Sequence, residues 1–246
     1  MKILVVNDDG ILSEGIKTLA DELSRENEIM VLAPNGNRSA SSHSLTINSD
    51  VEFAECKISD NYRAFSLSGT PADCVKFAFH YFEGEKFDLV CSGINAGNNL
   101  GSDTLYSGTV SAGIEANYFG IPAIAFSNVA LHGQKYGENA KVIRKIFDKL
   151  LSAARGDYTL NVNFPNLDAN EIKGIKFAPL GLLRYSDYYA PTRKGAFRLM
   201  GEPLSDGIAE DNDVSLSSRG FVTITPIKYD RTDREAIEKL KEIKFL

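Results

Sequence analysis

The chain has 246 residues, 43 % hydrophobic and 24 % charged, an ordinary globular composition long enough for one sizeable core with a smaller appendage. Its 27 Lys and Arg against 33 Asp and Glu leave a formal charge of -6, which offers no broad positive field for a nucleic-acid polymer or an anionic membrane surface. Cys56, Cys74 and Cys91 make neither a zinc spacing nor a disulfide framework, no apolar run reaches the roughly 18 residues of a membrane span, and without an N-terminal signal segment the expected location is the cytoplasm.

Ile3 to Val6 form a short apolar run rich in β-branched side chains, suited to a parallel strand covered on both faces. It ends in Asn7-Asp8-Asp9-Gly10. Adjacent carboxylates repel unless a cation sits between them or each reaches water separately. At the carboxyl end of a strand in an open α/β sheet, a cation site is favoured by position. Both acids reach one ion only if the chain is already turning, which Gly10 permits. The alternative is a solvated turn with both acids at helix-cap positions.

Ile16, Leu19, Ala20 and Leu23 recur at helical spacing after a start at Ser13 and Glu14, and the helix is expected to stop near Asn27. Ile29 to Ala33 reads as a second buried strand, which completes a βαβ unit. Neither G-x-G-x-x-G nor G-x-x-x-x-G-K-[ST] occurs in the first turn. A polar loop, Asn35 to Ser44, leaves the same sheet edge and carries Arg38, Ser39 and His43. Leu45 to Ile47, Val51 to Ala54 and Tyr62 to Leu67 are extended candidates. Thr70 as N-cap, Pro71 at the first helical position and Asp73 in the first turn then open a buried helix reaching Phe82.

Phe87 to Cys91 is the next strand, followed by a segment with glycines at 93, 97 and 101 between amides. Such a backbone suits folding around a ligand with N–H groups inward. Ser107-Gly108-Thr109 opens a helix that runs to about Phe119, and the free N–H groups of a helix start bind anions. A tight loop and an ordinary capped helix is the plainer reading. Ala123 to Ser127 is a strand, Tyr136 to Leu151 a helix and Leu160 to Phe164 a strand. Roughly five parallel strands alternate with four helices, the pattern of a doubly wound, mostly parallel, Rossmann-like α/β core.

From Asn166 the texture changes. Residues 1–165 are expected to form the catalytic core and 166–246 a β-rich C-terminal region. Lys176 to Ala178, Ala196 to Met200 and Phe221 to Ile224 read as strands, Ser205 to Asp213 as a polar loop, and Arg234 to Leu246 as a short amphipathic helix. Tyr185, Tyr188 and Tyr189 suit packing or an interface better than a base-binding rim.

Three loops converge on one sheet edge: Asp8-Asp9, Arg38-Ser39 and Asn95 with its glycines. All candidate donors are hard oxygen, which points to magnesium, manganese or calcium rather than zinc. A carboxylate pair beside a helix start and a glycine-rich loop suits phosphoryl chemistry. The motifs Ile3-Leu-Val-Val-Asn-Asp-Asp-Gly10, Ala33-Pro-Asn-Gly-Asn-Arg-Ser-Ala-Ser41, Gly69-Thr-Pro-Ala-Asp-Cys-Val75, Ser92-Gly-Ile-Asn-Ala-Gly-Asn-Asn99, Tyr106-Ser-Gly-Thr-Val110 and Gly220-Phe-Val-Thr-Ile-Thr-Pro226 stand in this order. Together they resemble the SurE family of metal-dependent nucleoside-monophosphate phosphatases.

The resemblance implies hydrolysis of nucleoside 5'- and 3'-monophosphates, in some members also of short polyphosphate. It implies one divalent metal ion per subunit, Mg2+ or Mn2+ with Ca2+ possible in a crystal, held by Asp8, Asp9, Ser39 and Asn95. Asp8 and Asp9 are the expected catalytic pair, with metal-activated water as nucleophile. Asn95, Asn98, Ser107, Gly108 and Thr109 are the expected phosphate contacts. A homodimer or homotetramer is implied, built through a hairpin near Leu183 to Met200 and the terminal helix. Ser41 and Ser42 depart from a pattern that often has a nearby glycine, and Asn212 stands where threonine is frequent. A covalent aspartyl-phosphate route is disfavoured because Asn7 stands where that chemistry needs Asp. A nucleotide-binding module without turnover is the non-enzymatic alternative.

Overall fold

The computed structural model describes residues 1–204 and 210–243. The chain opens with β1 (Lys2–Val6), α1 (Glu14–Leu23) and β2 (Glu28–Pro34). Next come β3 (Phe53–Cys56), β4 (Arg63–Leu67), α2 (Pro71–Tyr81) and β5 (Leu89–Ala96). They are followed by α3 (Gly108–Tyr118), β6 (Ala123–Asn128), α4 (Tyr136–Ala153) and β7 (Thr159–Phe164). The C-terminal part adds β8 (Ile175–Phe177), a hairpin of β9 (Tyr188–Arg193) and β10 (Ala196–Met200), α5 (Asp213–Ser218), β11 (Val222–Ile227) and α6 (Arg234–Leu240).

Among the described residues one sheet has the order β3-β4-β2-β1-β5-β6-β7-β11-β8. β4, β2, β1, β5, β6 and β7 run parallel, while β3 and β11 are antiparallel to their inner neighbours and β8 runs with β11. This is the expected doubly wound, mostly parallel α/β architecture with a β-rich C-terminal extension. β4 is a sixth parallel strand where five were expected, since the chain returns through β3 rather than a helix.

Helices cover both faces of the central strands, which is why Ile3 to Val6 are all buried without polar alternation. On one face Ile16, Leu19 and Leu23 of α1 and Val142, Ile143 and Leu150 of α4 pack over Ile3, Val5, Ile124 and Val162. On the other, Cys74, Val75 and Ala78 of α2 and Ala112 and Ala116 of α3 cover Leu4, Val6, Met30 and Leu32. Each fully buried large apolar side chain contributes roughly 1.5–3 kcal/mol against exposure. Small residues let α3 lie close to the sheet. A Cβ added at Gly113 would sit 2.5 Å from Thr159 Cγ2.

The topology places the site. From β1 the chain builds outward through β2 to β4, then crosses back to β5 and builds the other way through β6 and β7. The carboxyl ends of β1 and β5 therefore flank the point where strand order reverses, the usual ligand crevice of an open α/β sheet.

Several boundaries differ from the sequence expectation. Leu45 to Ile47 is irregular rather than extended, and α1 ends at Leu23 rather than near Asn27. β5 runs on to Ala96 with its register to β6 broken between Ser92 and Asn95. Gly93 there has φ +121°, and a Cβ on it would lie 2.2 Å from the Phe126 carbonyl oxygen. Of the supposed loop Ser205 to Asp213, residues 205–209 lie outside the described residues, and Asp213 already begins α5. The terminal helix is seen from Arg234 to Leu240, and residues 244–246 lie outside the description.

Candidate active site

The turn after β1 is built by Asn7. Its side-chain amide donates to the Gly10 carbonyl at 3.0 Å and to Ser13 Oγ at 2.7 Å, and its Oδ1 accepts the Gly10 N–H at 3.2 Å. Gly10 has φ +101°, and its α-carbon packs so closely on the next loop that a Cβ would stand 3.1 Å from the Gly36 carbonyl carbon. The two acids thereby leave the strand in different directions. Asp8 faces the start of α3, and Asp9 faces the end of β5.

Asp8 is 3 % exposed. Its Oδ1 accepts the Thr109 hydroxyl at 2.6 Å and its Oδ2 the Thr109 N–H at 3.2 Å. Burial pushes its carboxyl up to about 6, opposed by the Thr109 bonds and assisted by the charge of Asp9. Asp9 is half-buried, and its Oδ2 accepts the Ala96 N–H at 3.0 Å. Burial raises its carboxyl too, with the Ala96 N–H pulling the other way. Among the described residues no Lys or Arg forms an ion pair with either acid.

Gly108 lets these parts meet. A Cβ there would lie 2.9 Å from Asp8 Cβ, 2.9 Å from Ser41 Oγ and 3.0 Å from Pro71 Cγ. Ser107 caps α3, its Oγ accepting the Val110 N–H at 3.0 Å, which leaves its own O–H as a free donor.

Asp8, Ser39, Asn95, Asn98 and Ser107 line one cleft of about 490 Å³, together with Asp103, Tyr106, Leu131, Tyr185, Glu202 and Pro203. Five of the expected site residues thus share one cavity. Asp9 adjoins it through Ala96, and Thr109 and Gly108 stand behind Asp8 rather than in the cleft wall. The Asn95 amide donates to the Gly97 carbonyl at 3.0 Å, and Asn98 donates to Asp103 Oδ2 at 3.2 Å.

The loop carrying Ser39 is fastened at several points. The Arg38 N–H donates to the Asp8 carbonyl at 2.7 Å, and its guanidinium donates to the Ser68 carbonyl at 2.7 Å. Arg38 therefore holds the loop through a carbonyl and is absent from the cleft wall. His43 also lies outside the wall. Its Nε2 is 2.8 Å from Glu115 Oε2 on α3, and Lys76 of α2 pairs with the other oxygen at 2.7 Å. Burial alone would raise the Glu115 carboxyl, but hydrogen bonds from His43 and Lys76 hold it below its ordinary value.

A family model described as survival protein SurE matches residues 3–187. The chain belongs to the SurE family. It is 38 % identical to the 5'-nucleotidase SurE of Petrotoga mobilis, with 98 % of each chain covered, and 38 % identical to that of Clostridium botulinum strain ATCC 19397, with 99 % of each covered. The crystal structure of the SurE protein from Aquifex aeolicus superimposes with a TM-score of 0.83 at 37 % identity, covering 98 % of both chains.

Among the described residues no three His, Cys, Asp or Glu side chains gather as a metal cluster. The SurE donor set expected here has two carboxylates, a hydroxyl and an amide, so it does not depend on such a triad. Two neighbouring acids without a basic partner, beside neutral oxygen donors, suit a hard divalent cation.

Sequence reasoning missed the C-terminal contribution to this SurE cleft. Tyr185, read as packing or interface, donates its hydroxyl to Asp103 Oδ2 in the cleft wall. Asp213 is fully buried, and its carboxylate accepts the Gly101 N–H at 2.8 Å and the Gly181 N–H at 2.7 Å, tying the two segments together. Asn212 followed by Ser215 is a capping signal for α5 that the sequence did display.

Proposed function

We propose that this protein is a divalent-metal-dependent phosphomonoesterase that hydrolyses nucleoside 5'- and 3'-monophosphates to nucleoside and inorganic phosphate. The observation that carries the reading is the acid pair Asp8 and Asp9 at the strand-order reversal, beside a cleft lined by Ser39, Asn95, Asn98 and Ser107. SurE membership and the 5'-nucleotidase name of its relatives support the same reaction.

Asp8, Asp9, Ser39 and Asn95 would hold one Mg2+ or Mn2+ ion. Such an ion neutralises phosphate oxygens and acidifies water. Thr109 orients Asp8 with two hydrogen bonds, and the Ala96 N–H orients Asp9. Asp9, the less buried acid, accepts the proton that water loses as its oxygen bonds to phosphorus and the bond from phosphorus to the nucleoside oxygen breaks, and the departing nucleoside oxygen takes up a proton in turn. The Asn98 amide and the Ser107 hydroxyl, both on the cleft wall, hold the phosphoryl oxygens, while the Thr109 and Val110 N–H groups orient Asp8 and Ser107. Tyr106, Leu131, Tyr185 and Pro203 offer the cleft an apolar rim for the nucleoside. Short polyphosphate would be a further substrate of the same site.

The subunits associate as a homodimer or homotetramer through the hairpin and α6, whose apolar side chains lie exposed in the single chain. The test is phosphate release from a panel of 5'- and 3'-monophosphates with Mg2+, Mn2+ or chelator. Turnover that chelation abolishes is the expected result. Nucleotide binding without release would instead establish a binding module.

A further inference from the structure

The alternation along β7 separates two kinds of side chain. Leu160, Val162 and Phe164 enter the core under α1 and α4, while Thr159, Asn161 and Asn163 point to the opposite face and are fully buried. β7 lies between β6 and β11, so both its edges are paired, and all six of its residues are buried, so both its faces are covered and apolar residues would make the better strand. Burying an amide costs free energy unless hydrogen bonds compensate it. Two asparagines here require a reason other than stability.

Their partner is Asn99, in the segment that follows β5. Asn163 Oδ1 accepts the Asn99 N–H at 2.9 Å, and Asn163 Nδ2 donates to the Asn99 carbonyl at 3.0 Å. The side-chain amide thus pairs with a backbone residue at two points, as a neighbouring strand would. Asn161 Nδ2 donates to the same carbonyl at 2.7 Å, and the Asn99 side chain donates to Ser127 Oγ on β6 at 2.7 Å. Both main-chain groups of Asn99 and its side-chain amide are therefore gripped from the sheet. The Asn98–Asn99 peptide that Asn163 holds also fixes the backbone from which the Asn98 side chain reaches the cleft.

We propose that Asn163, assisted by Asn161, is a positioning residue for phosphate binding: by holding Asn99 it sets the Asn95-to-Asn98 turn against the phosphoryl oxygens of the substrate. This rests on the nucleotidase reading for the identity of the substrate. It deepens that reading by placing a determinant of affinity on β7, out of contact with the phosphate.

The test compares the parent with Asn163→Leu, which keeps the approximate size and removes both bonds. Calorimetry with inorganic phosphate in the presence of Mg2+ gives affinity without turnover, and steady-state assays with AMP give KM and kcat separately. Circular dichroism checks folding. Phosphate affinity is expected to fall and KM to rise, each by roughly tenfold, the effect of losing a two-point hydrogen-bonded pair. A purely structural role would lower kcat in proportion to the folded fraction and leave KM and phosphate affinity unchanged, which would overturn the proposal. If Asn163→Leu does not fold, Asn163→Ala decides by the same readings, because it removes both bonds to Asn99 without adding apolar bulk. If the parent binds phosphate but releases none from AMP, the nucleotidase reading falls while calorimetry still decides the positioning role. A parent that binds no phosphate overturns the proposal.

Discussion

A single methyl group at Gly108 should disable the site. The added carbon would press on Asp8 Cβ and Pro71 Cγ, and only Ser41 Oγ belongs to a side chain that can rotate away. Gly108→Ala is expected to lower kcat/KM for a nucleoside monophosphate at least about tenfold, since small misplacements of a reacting geometry are costly. Circular dichroism of the folded variant separates this from unfolding. Asp8 makes a second prediction at this scale. Its folded carboxyl, near 6, lies above the ordinary value of 3.8, so the folded protein favours the protonated form. The stability this contributes is fully present below the unfolded value and is lost as pH rises through about 6. In chelator, the stability of the parent relative to Asp8→Asn should therefore fall by on the order of 3 kcal/mol between acid and neutral pH. Mn2+ should raise the melting temperature more above pH 6 than below it. A difference between parent and Asp8→Asn that stays flat across that range would contradict the assignment.

Between elements, the tie among the Ser39 loop, α2 and α3 runs through Glu115, a buried carboxylate between His43 and Lys76. Its carboxyl is held below the ordinary value, so this contribution is present above the unfolded value and lost as pH falls through the folded one. Lys76→Met should cost about 1–2 kcal/mol in urea unfolding at neutral pH, a moderate figure because Lys76 is partly exposed. The elements of the core were legible because their signals are local. The apolar run before Asn7 and the Thr70-Pro71-Asp73 start of α2 appear as read, and α3 opens where expected, with Ser107 as its N-cap rather than in its first turn. Leu45 to Ile47 has strand-like composition, yet Thr46 is held by the Asp73 carboxylate and forms no ladder. The converging loops were readable from strand ends. Tyr185 and Asp213 were not, because their partners Asp103 and Gly101 lie 82 and 112 residues away and only the folded chain brings them together.

For the whole molecule, the β9–β10 hairpin leaves Tyr189 68 % and Phe197 65 % exposed, and α6 buries none of its residues. Such apolar surface on a single chain suits a partner subunit. On the proposed assembly, Tyr189→Glu with Phe197→Glu should shift the sedimenting species from dimer or tetramer toward monomer, and a parent that sediments as a monomer, or an assembly that the variant leaves unchanged, would contradict this interface. The larger organisation follows from the reversal of strand order, which brings the ends of β1 and β5 side by side and lets three loops and the start of α3 meet there. The most direct test of that account is anomalous scattering from crystals of the protein grown with Mn2+. A single strong peak per subunit, within coordination distance of Asp8, Asp9, Ser39 and Asn95, is the predicted result. Mn2+ bound only elsewhere, or no bound Mn2+ under conditions that support phosphate release, would contradict it.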